Sequence, residues 1–490
     1  MNYSELSVFI VYLAAMLGVG VYFFIKSKGG DKEYFLGNRE MGPWVSALSA
    51  GASDMSAWVL MGLPASIYAF GMGQTWIAIG LGIGYILSWL FLAPRLRQFS
   101  IAANDSITLP QYLTNRFLSK NKILQIICAV IFLFAYAIYA ASSIKACGTL
   151  FNTVLGIDAT VAMLVAALII VGYTFLGGFK AVCWTDFYQG LLMLGALLIA
   201  PIFALFLVQS GAAATTGTVV FPTNYWNFLS SGKFDWKSCA DILSGLGWGL
   251  GYFGMPHIII RFMSIRTQKD VKKGAVVGIA WNILILVFAV AAGSIGRLFL
   301  GEIAESSVFF ITMVRIIFPG IISGILLSAI LAAAMSTADS QLLVSASAFA
   351  ADVYKPVLRK NADEKEMFWS GRVVVVVIAI IAMIIAANPG SGSIMDLVGN
   401  AWGVFGAAFG PAILLSVFWK RFNFAGAVAG IVVGAVVDVV WLITFSGTGI
   451  YEIIPGFIIG LAAAVAVTLV NKEPDKEIAK LFDRSVSMTD

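Results

Sequence analysis

Stretches of about twenty apolar residues recur along most of this chain, and they limit its fold more than any other feature. A helix of that length crosses the roughly 30 Å hydrocarbon core of a bilayer. Lipid offers no hydrogen bonds to exposed backbone, so such stretches are expected to be helical. They number thirteen, at residues 5–25, 43–70, 74–94, 123–151, 159–179, 185–209, 239–260, 274–300, 316–352, 369–387, 396–419, 424–446 and 452–471. The sequence therefore predicts an all-α integral membrane protein with thirteen transmembrane helices.

The composition agrees with that class and argues against several others. Of the 490 residues, 60% are hydrophobic and 12% are charged, which leaves too little polar surface for a soluble domain of this size. The four cysteines have no paired spacing and the single histidine is His257, so neither a disulfide framework nor a zinc site is indicated. No nucleophile–base pair or phosphate-binding loop is evident, so we expect neither an enzyme nor a cofactor.

The distribution of basic residues predicts the orientation of the helices. Lys and Arg concentrate in the cytoplasmic loops of membrane proteins, so the net charge of +5 does not by itself indicate a nucleic-acid partner. With the N-terminus outside, 26 of the 31 basic residues fall in cytoplasmic segments, five of them at 261–273. An error of one crossing would invert this asymmetry. The sequence therefore predicts an outer N-terminus and a cytoplasmic C-terminus, with no obligate protein partner inferred from its short loops.

Two of the thirteen stretches are interrupted by glycine, serine and polar residues. The second contains SAGASDMSAW, from Ser49 to Trp58, and the seventh contains SGLGWGLGYFGMPH, from Ser244 to His257. They lie five stretches apart, and because five is odd, a second set of five helices would enter the membrane from the opposite side. Broken helices at matching positions of such an inverted repeat indicate a transporter site. Small residues also allow close helix packing, as we expect for Gly80 and Gly84.

Close packing alone does not require the polar and aromatic residues of these interruptions. Asp54 lies eleven residues beyond Pro43, about 16 Å along a helix and near the bilayer centre. A carboxylate there costs at least ~2.5 kcal/mol unless a cation or a water-filled cavity compensates it. The second interruption places Trp248, Tyr252 and Pro256 at four-residue spacing. Together these residues favour a site for a cation and a small solute.

Two adjacent hydroxyl groups are candidates to complete the cation site. Sodium needs about five or six oxygen ligands, more than one interrupted helix supplies. Ser336 and Thr337 in ILAAAMSTADSQ follow a run of alanines that would let a neighbouring helix approach closely. The alternative is that each hydroxyl bonds to a carbonyl of its own helix. The residues alone leave both alternatives open.

Six longer segments carry a family resemblance: SALSAGASDMSAWVLMGLP, TLPQYLTNRF, TFLGGFKAVCWTDFYQG, GWGLGYFGMPHIIIRFMS, LSAILAAAMSTADSQLL and GAAFGPAILLSVFW. In their order they resemble the sodium:solute symporter family, and within it the branch that transports proline. The resemblance extends from about residue 5 to residue 471. It implies a symporter of the cell membrane that moves L-proline inward by alternating access, with Na+ as the coupling ion and the lipid bilayer around it.

The resemblance implies a LeuT-type fold, in which two inverted repeats of five helices form the core. One extra helix precedes this 5+5 core and two follow it. The expected division of the chain is 1–42 for the N-terminal flanking helix and loop, 43–210 for the first repeat, 211–238 for an extracellular loop, 239–421 for the second repeat, 422–471 for two flanking helices and 472–490 for a cytoplasmic tail.

The resemblance also assigns roles to individual residues. For sodium it implies the carbonyl oxygens of Ala52, Met55 and Ala333, the hydroxyl groups of Ser336 and Thr337, and the carboxylate of Asp54. For the substrate it implies Ser56, Trp58, Tyr139, Trp248, Tyr252 and Pro256. Ala57 departs from the family, where glycine is expected in proline carriers.

Arg39 and Asp186 match cytoplasmic positions of the family that suggest gating or release. Arg39 could equally be a topology signal. Asp186, with Thr185, could equally cap the sixth stretch.

Other functions remain open from the sequence alone. The same fold could carry another amino acid, a short carboxylate or a vitamin with sodium. A channel or a sensor on the same scaffold is a further alternative, although a sensor would normally carry an output domain and only about twenty polar residues follow Asn471.

Overall fold

The computed structural model describes residues 3–26, 31–176, 178–214 and 219–488, and they are α-helical almost throughout. Among these residues the one β-type pairing is an isolated bridge between Met41 and Ile265. The first half contains α1 (Tyr3–Lys26), α2 (Asp31–Leu36), α3 (Pro43–Met55), α4 (Trp58–Met61), α5 (Leu63–Phe70), α6 (Thr75–Leu87), α7 (Ala93–Ala102), α8 (Leu109–Arg116), α9 (Ile123–Leu155), α10 (Ala159–Leu176) and α11 (Phe179–Gln209).

The second half contains α12 (Trp236–Gly247), α13 (Pro256–Ser264), α14 (Gln268–Leu300), α15 (Phe309–Ile317), α16 (Gly320–Ser347), α17 (Glu364–Ala387), α18 (Ile394–Phe418), α19 (Phe424–Thr444), α20 (Ile453–Val470) and α21 (Lys476–Ser487). Two π-helical segments, Ser88–Leu92 and Ala348–Leu358, join α6 to α7 and extend α16. Short 3₁₀ segments lie at Gly37–Arg39, Met72–Gln74, Trp248–Phe253, Ser306–Val308, Pro389–Ser391 and Ser446–Thr448.

The helices agree with the predicted membrane-spanning pattern. Within the described ranges, ten helices are long and apolar enough to cross a bilayer. Each of the thirteen predicted stretches contains helix, and the three that are not among the ten are the two interrupted stretches and the one that contains α10. The count of thirteen crossings and the orientation of the termini stay predictions.

Both predicted interruptions are present. The first begins where α3 ends at Met55, because Ser56 adopts a φ of 27°, a left-handed conformation that costs a non-glycine residue about 1–3 kcal/mol. In the second, α12 tightens into the 3₁₀ segment Trp248–Phe253 before the chain resumes as α13. Such breaks release backbone groups from the helical hydrogen-bond ladder, which a membrane tolerates only where protein or a cavity receives them.

Close contacts between helices hold the interruptions in place. The nearly fully buried α16 packs against α3, α9 and α11. As predicted, Gly84 allows close approach: a Cβ added there would lie 2.2 Å from the carbonyl oxygen of Gly249 in the second interruption. A side chain at Gly84 would therefore push α6 away from that segment.

The segment after Asn471 forms more structure than the predicted polar tail. It contains α21, whose buried Phe482 packs against Phe99 of α7 at a ring separation of 5.2 Å. Gln98 Nε2 donates a hydrogen bond of 2.5 Å to the carbonyl oxygen of Met488. Polar residues dominate this segment, but Leu481, Phe482 and Ser485 share one helix face, and that face is covered.

Candidate ion and substrate site

Asp54 lies one residue before the end of α3, at the first interruption. Its side chain is fully buried, and Tyr252 from the second interruption donates a hydrogen bond of 2.5 Å to Asp54 Oδ2. No described residue hydrogen-bonds to the other oxygen, Oδ1. No positive charge in the described part of the chain acts on this carboxyl group. A buried carboxylate of this kind requires a proton or an external cation to compensate its charge.

Oxygen atoms of α3 and α16 lie close together, and the one from α3 belongs to Ala52, two residues before Asp54. Ser336 Oγ donates to the carbonyl oxygen of Ala52 at 2.9 Å and also lies 3.1 Å from the carbonyl oxygen of Ala333. The hydroxyl of Ser336 therefore reaches across to α3 as well as back to its own helix. Thr337 Oγ1 is buried without a hydrogen-bond partner among the described residues. These groups fit the hard oxygen ligands that sodium prefers.

The carbonyl of Met55 is the remaining predicted sodium ligand. In a continuous helix it would accept a hydrogen bond from the amide of Val59. That amide instead donates to the carbonyl oxygen of Ser56, at 3.4 Å. Because of the break at Ser56, the amide of Val59 bonds to Ser56 and not to the carbonyl oxygen of Met55.

Aromatic rings from both interruptions form a wall beside Asp54. The rings of Trp58 and Trp248 lie 6.1 Å apart, and the rings of Trp248 and Tyr451 stack at 5.1 Å. Trp402 Nε1 donates a 2.8 Å hydrogen bond to the carbonyl oxygen of Trp248. The ring of Trp402 also meets that of Tyr252 edge-on at 5.1 Å. Together these rings form a packed apolar surface beside Asp54.

The other predicted substrate residues lie around the first interruption or at the start of α13. Tyr139 of α9 donates a 3.3 Å hydrogen bond to the carbonyl oxygen of Asp54. Ser56 Oγ is buried, and none of the described residues bonds to it. Pro256 is the first residue of α13, next to His257, whose ring lies 6.3 Å from that of Tyr139. Trp58 thus contacts Trp248, and Tyr139 and Tyr252 each hydrogen-bond to Asp54. Ser56 follows the end of α3, and Pro256 begins α13.

Arg39 connects the α7–α8 loop to the end of α13. Its guanidinium donates to Asp105 Oδ1 at 2.8 Å, to Ser100 Oγ at 3.0 Å and to the carbonyl oxygen of Met263. Arg39 is only 8% exposed, whereas a topology signal needs no buried partners. The contacts therefore favour a role in holding these segments together.

Asp105 receives two positive charges from this connection. Lys32 also donates a hydrogen bond to its carboxylate. Burial alone would raise the pKa of Asp105, but the hydrogen bonds and charges of Lys32 and Arg39 outweigh burial and hold that pKa below its usual value. Asp105 is therefore charged at neutral pH and can pair with both Lys32 and Arg39.

Asp186 is part of a buried ion pair inside α11, and the alternative that it caps a helix is wrong. The helix begins at Phe179, seven residues before Asp186, and Thr185 bonds back to its own helix. Arg261 Nη2 donates to Asp186 Oδ2 at 3.0 Å, and Ser49 Oγ donates to the same oxygen at 2.7 Å. The structure thus ties α3, α11 and α13 through one carboxylate.

Sequence reasoning missed several residues of this region. Arg261 was counted among the cytoplasmic loop charges of 261–273, but it lies within α13, is 1% exposed and also donates to Ser340 Oγ at 2.5 Å. The sequence does offer one indication: Arg261 directly follows three isoleucines at 258–260, so a helix through them would continue into the charged segment. The sequence does not single out Trp402 and Tyr451, because aromatic residues in apolar stretches are usual in a packed protein core.

Comparison with known proteins agrees with the family resemblance of the sequence. Residues 34–434 match the model of the sodium:solute symporter family. The osmoregulated proline transporter OpuE of Bacillus subtilis is 42% identical over 478 residues, which cover 96% of each chain. The sodium/proline symporter of Escherichia coli is 42% identical over 484 residues, covering 97% of this chain and 94% of that protein.

Solved structures share the fold. A Na+-coupled sialic acid symporter in a substrate-bound outward-open state matches with a TM-score of 0.80 at 21% identity, over 96% of this chain and 99% of that one. The nucleobase-cation symporter Mhp1 matches with a TM-score of 0.54 at 16% identity, over 92% and 98%. With ten long apolar helices in the described part of its chain, the protein is a multi-pass protein of the cell membrane. From the match over residues 34–434 and the identity along nearly its whole length, the chain belongs to the sodium:solute symporter family.

Proposed function

We propose that this protein couples the inward movement of sodium to the uptake of L-proline by alternating access. The observation that carries the proposal is Asp54, a buried carboxylate with one bonded and one unbonded oxygen, held between two broken helices. Broken helices at this position are characteristic of sodium-coupled transport sites. The proline transporters named above, similar along almost the whole chain, support proline as the solute.

Sodium is proposed to bind between α3 and α16. Its ligands would be the carbonyl oxygens of Ala52, Met55 and Ala333 with the hydroxyls of Ser336 and Thr337. The 2.9 Å contact between Ser336 Oγ and the carbonyl of Ala52 supports this arrangement, since it brings two of the proposed ligands together across the helices. Sodium there would supply the positive charge that Asp54 lacks within the described protein.

Proline is proposed to bind against the aromatic wall. It is a compact zwitterion, so its carboxylate suits the free amides of a broken helix and its ring suits an aromatic surface. Trp58, Trp248 and Tyr252 would contact the ring, and Ser56, Tyr139 and Pro256 would border the site. The buried hydroxyl of Ser56, which has no partner among the described residues, supports a polar contact there.

The remaining architecture is proposed to follow the family. Thirteen crossings would place the N-terminus outside and the C-terminus inside, with repeats at 43–210 and 239–421, the loop 211–238 between them, and flanking segments at 1–42 and 422–471 before the tail 472–490. Arg39 and the Asp186–Arg261 pair would hold the cytoplasmic side closed and separate when sodium and solute are released inward.

Uptake into proteoliposomes tests the proposal. We expect labelled L-proline to accumulate only under an inward sodium gradient, to saturate, and to outcompete a panel of other amino acids, short carboxylates and vitamins. Sodium must also tighten proline binding by the same factor by which proline tightens sodium binding. Accumulation of a different solute would replace proline in the proposal, and non-saturating flux of sodium alone would indicate a channel.

Trp248→Ala should identify the proline wall. Loss of its ring should raise the proline concentration for half-maximal uptake about tenfold, equivalent to about 1.4 kcal/mol. Trp226→Ala is the matched control, because Trp226 lies 52% exposed in the loop before α12. Equal effects of the two substitutions would exclude a specific role for Trp248.

A further inference from the structure

A second acidic group lies between α18, α19 and α20 and takes no part in the site above. Asp438 belongs to α19, and Glu452 immediately precedes α20. A Cβ added to Gly403 of α18 would lie 2.9 Å from Asp438 Oδ1 and 3.4 Å from Glu452 Oε1. Oxygens of both carboxyl groups therefore face one small space that the missing side chain of Gly403 leaves open.

Among the described residues, no Lys or Arg acts on either carboxyl group. Asp438 is fully buried, Glu452 is 7% exposed, and no described residue hydrogen-bonds to either oxygen of Asp438. The sequences of α18, α19, α20 and the 3₁₀ segment Trp248–Phe253 contain no Lys, Arg or His. Within the described part of the chain, Glu452 is the titratable group that acts on Asp438, and both carboxyls act on Tyr451.

Two adjacent carboxylates cannot both remain charged in such surroundings, since each charge costs several kcal/mol without a partner and the second is repelled by the first. A sodium ion would require about five or six oxygens. Around Asp438 the helices are continuous, so their carbonyl oxygens are already bonded within the helical ladder. A proton needs only the two carboxyl groups.

We propose that Asp438 and Glu452 form a carboxyl pair that binds one proton from the surrounding water, at a site separate from the proposed sodium site. The pair lies directly behind the aromatic wall. Tyr451, the residue before Glu452, stacks on Trp248 and donates a 2.6 Å hydrogen bond to the carbonyl oxygen of Gly399. Loss of the proton would place a second negative charge beside Tyr451.

Infrared difference spectroscopy of the purified full-length protein tests the proposal without reference to the transported solute. A protonated carboxyl group gives a C=O stretch that shifts in deuterated water. Between neutral and alkaline pH, the wild type should lose one such band that the double variant Asp438→Asn with Glu452→Gln lacks. Asp438→Asn and Glu452→Gln should each shift the pH at which the band is lost, because the repulsion between the two carboxyls is absent. Glu305→Gln, at an exposed carboxyl in the loop before α15, should leave the band unchanged.

Each variant removes a different carboxyl group of the pair. Elution of each variant as a single species in size-exclusion chromatography checks that it is folded. Each replaces a carboxyl by an amide of similar shape, so a fold defect in one leaves the other informative. The wild-type spectrum is also decisive by itself, because no pH-dependent carboxyl band would overturn the proposal. If added sodium removes the band at neutral pH, and Asp438→Asn binds one sodium ion fewer, the pair is a sodium site and the proton assignment is wrong.

Discussion

Asp54 and Asp186 are both fully buried aspartates, but the protein surrounds them differently. Asp186 receives a guanidinium from Arg261 at 3.0 Å and a hydroxyl from Ser49. Asp54 receives a single hydroxyl from Tyr252, and no basic side chain in the described part of the chain reaches it. Within its described residues, the protein supplies a counter-charge for Asp186 and none for Asp54.

This difference separates two uses of a buried charge. A charge paired inside the protein stabilises the fold only as long as its partner remains, and removing one partner costs about 3–5 kcal/mol. A charge without an internal partner destabilises the empty site and gains stability when a cation binds. Stability measured with and without sodium should therefore distinguish the two aspartates.

Arg261→Met should have the largest effect. It leaves Asp186 buried without its counter-charge and should lower the free energy of unfolding by about 3–5 kcal/mol. Denaturation of the purified protein should show the same loss in sodium and in choline. The double variant Arg261→Met with Asp186→Leu should recover most of it, because both charges are then absent. A loss confined to sodium-containing buffer would instead assign Arg261 to the ion site.

Asp54→Asn should produce the opposite pattern. Sodium at 100 times its dissociation constant should stabilise the wild type by about 2.7 kcal/mol. The variant should lose most of this increment, while its stability without sodium stays equal or rises, since an uncompensated carboxylate has been removed. Thermal unfolding across a sodium series measures both quantities, with Asp186→Asn for comparison. A full sodium increment in Asp54→Asn would show that the carboxylate has another role.

Thr337→Val should sharpen the comparison at the hydroxyl ligands. It keeps the bulk of the side chain but removes one oxygen, and we expect the sodium dissociation constant to rise about two- to tenfold, or roughly 0.5–1.5 kcal/mol. Thr337→Ser retains the oxygen and is the matched control. If both substitutions weaken sodium equally, packing of the methyl group is responsible and the hydroxyl is not a ligand.

Asp105 should give the smallest effect, and one that depends on pH. Its folded pKa is below its unfolded value, so its contribution is complete above about pH 4 and is lost as the pH falls through the folded pKa. Its side chain is 43% exposed, so we expect less than about 1 kcal/mol. Acid unfolding of Asp105→Asn should lack this part of the pH dependence. An identical acid profile would mean that Lys32 and Arg39 gain nothing from the carboxylate.

Much of the fold and the centre of the candidate site follow from local chemistry. The apolar stretches predict the helices, and the small and polar residues around Asp54 predict the break that the structure places at Ser56. A carboxylate in an apolar stretch is also easy to recognise from the sequence, because burying its charge is costly whichever helices surround it. These features need no knowledge of which helices are neighbours.

The partners of these residues depend on the tertiary fold and could not be predicted in the same way. Arg261 follows an apolar run and precedes four further basic residues, so a count of charges assigns it to a loop. Only the tertiary fold reveals that Arg261 pairs with Asp186, 75 residues away. Tyr252 and Asp54 likewise meet across 198 residues, and no local pattern specifies that contact.

The docking of α21 on α7 has a consequence for the timing of biosynthesis. Gln98 and Met488, which join the two helices, are 390 residues apart in the chain. At about 5–20 residues per second, the ribosome needs roughly 20–80 s to make the intervening chain. During that interval the surface of α7 around Phe99 has been made but cannot yet be covered by Phe482. This part of α7 is therefore among the last parts of the molecule to be completed, although it is among the first to be synthesised.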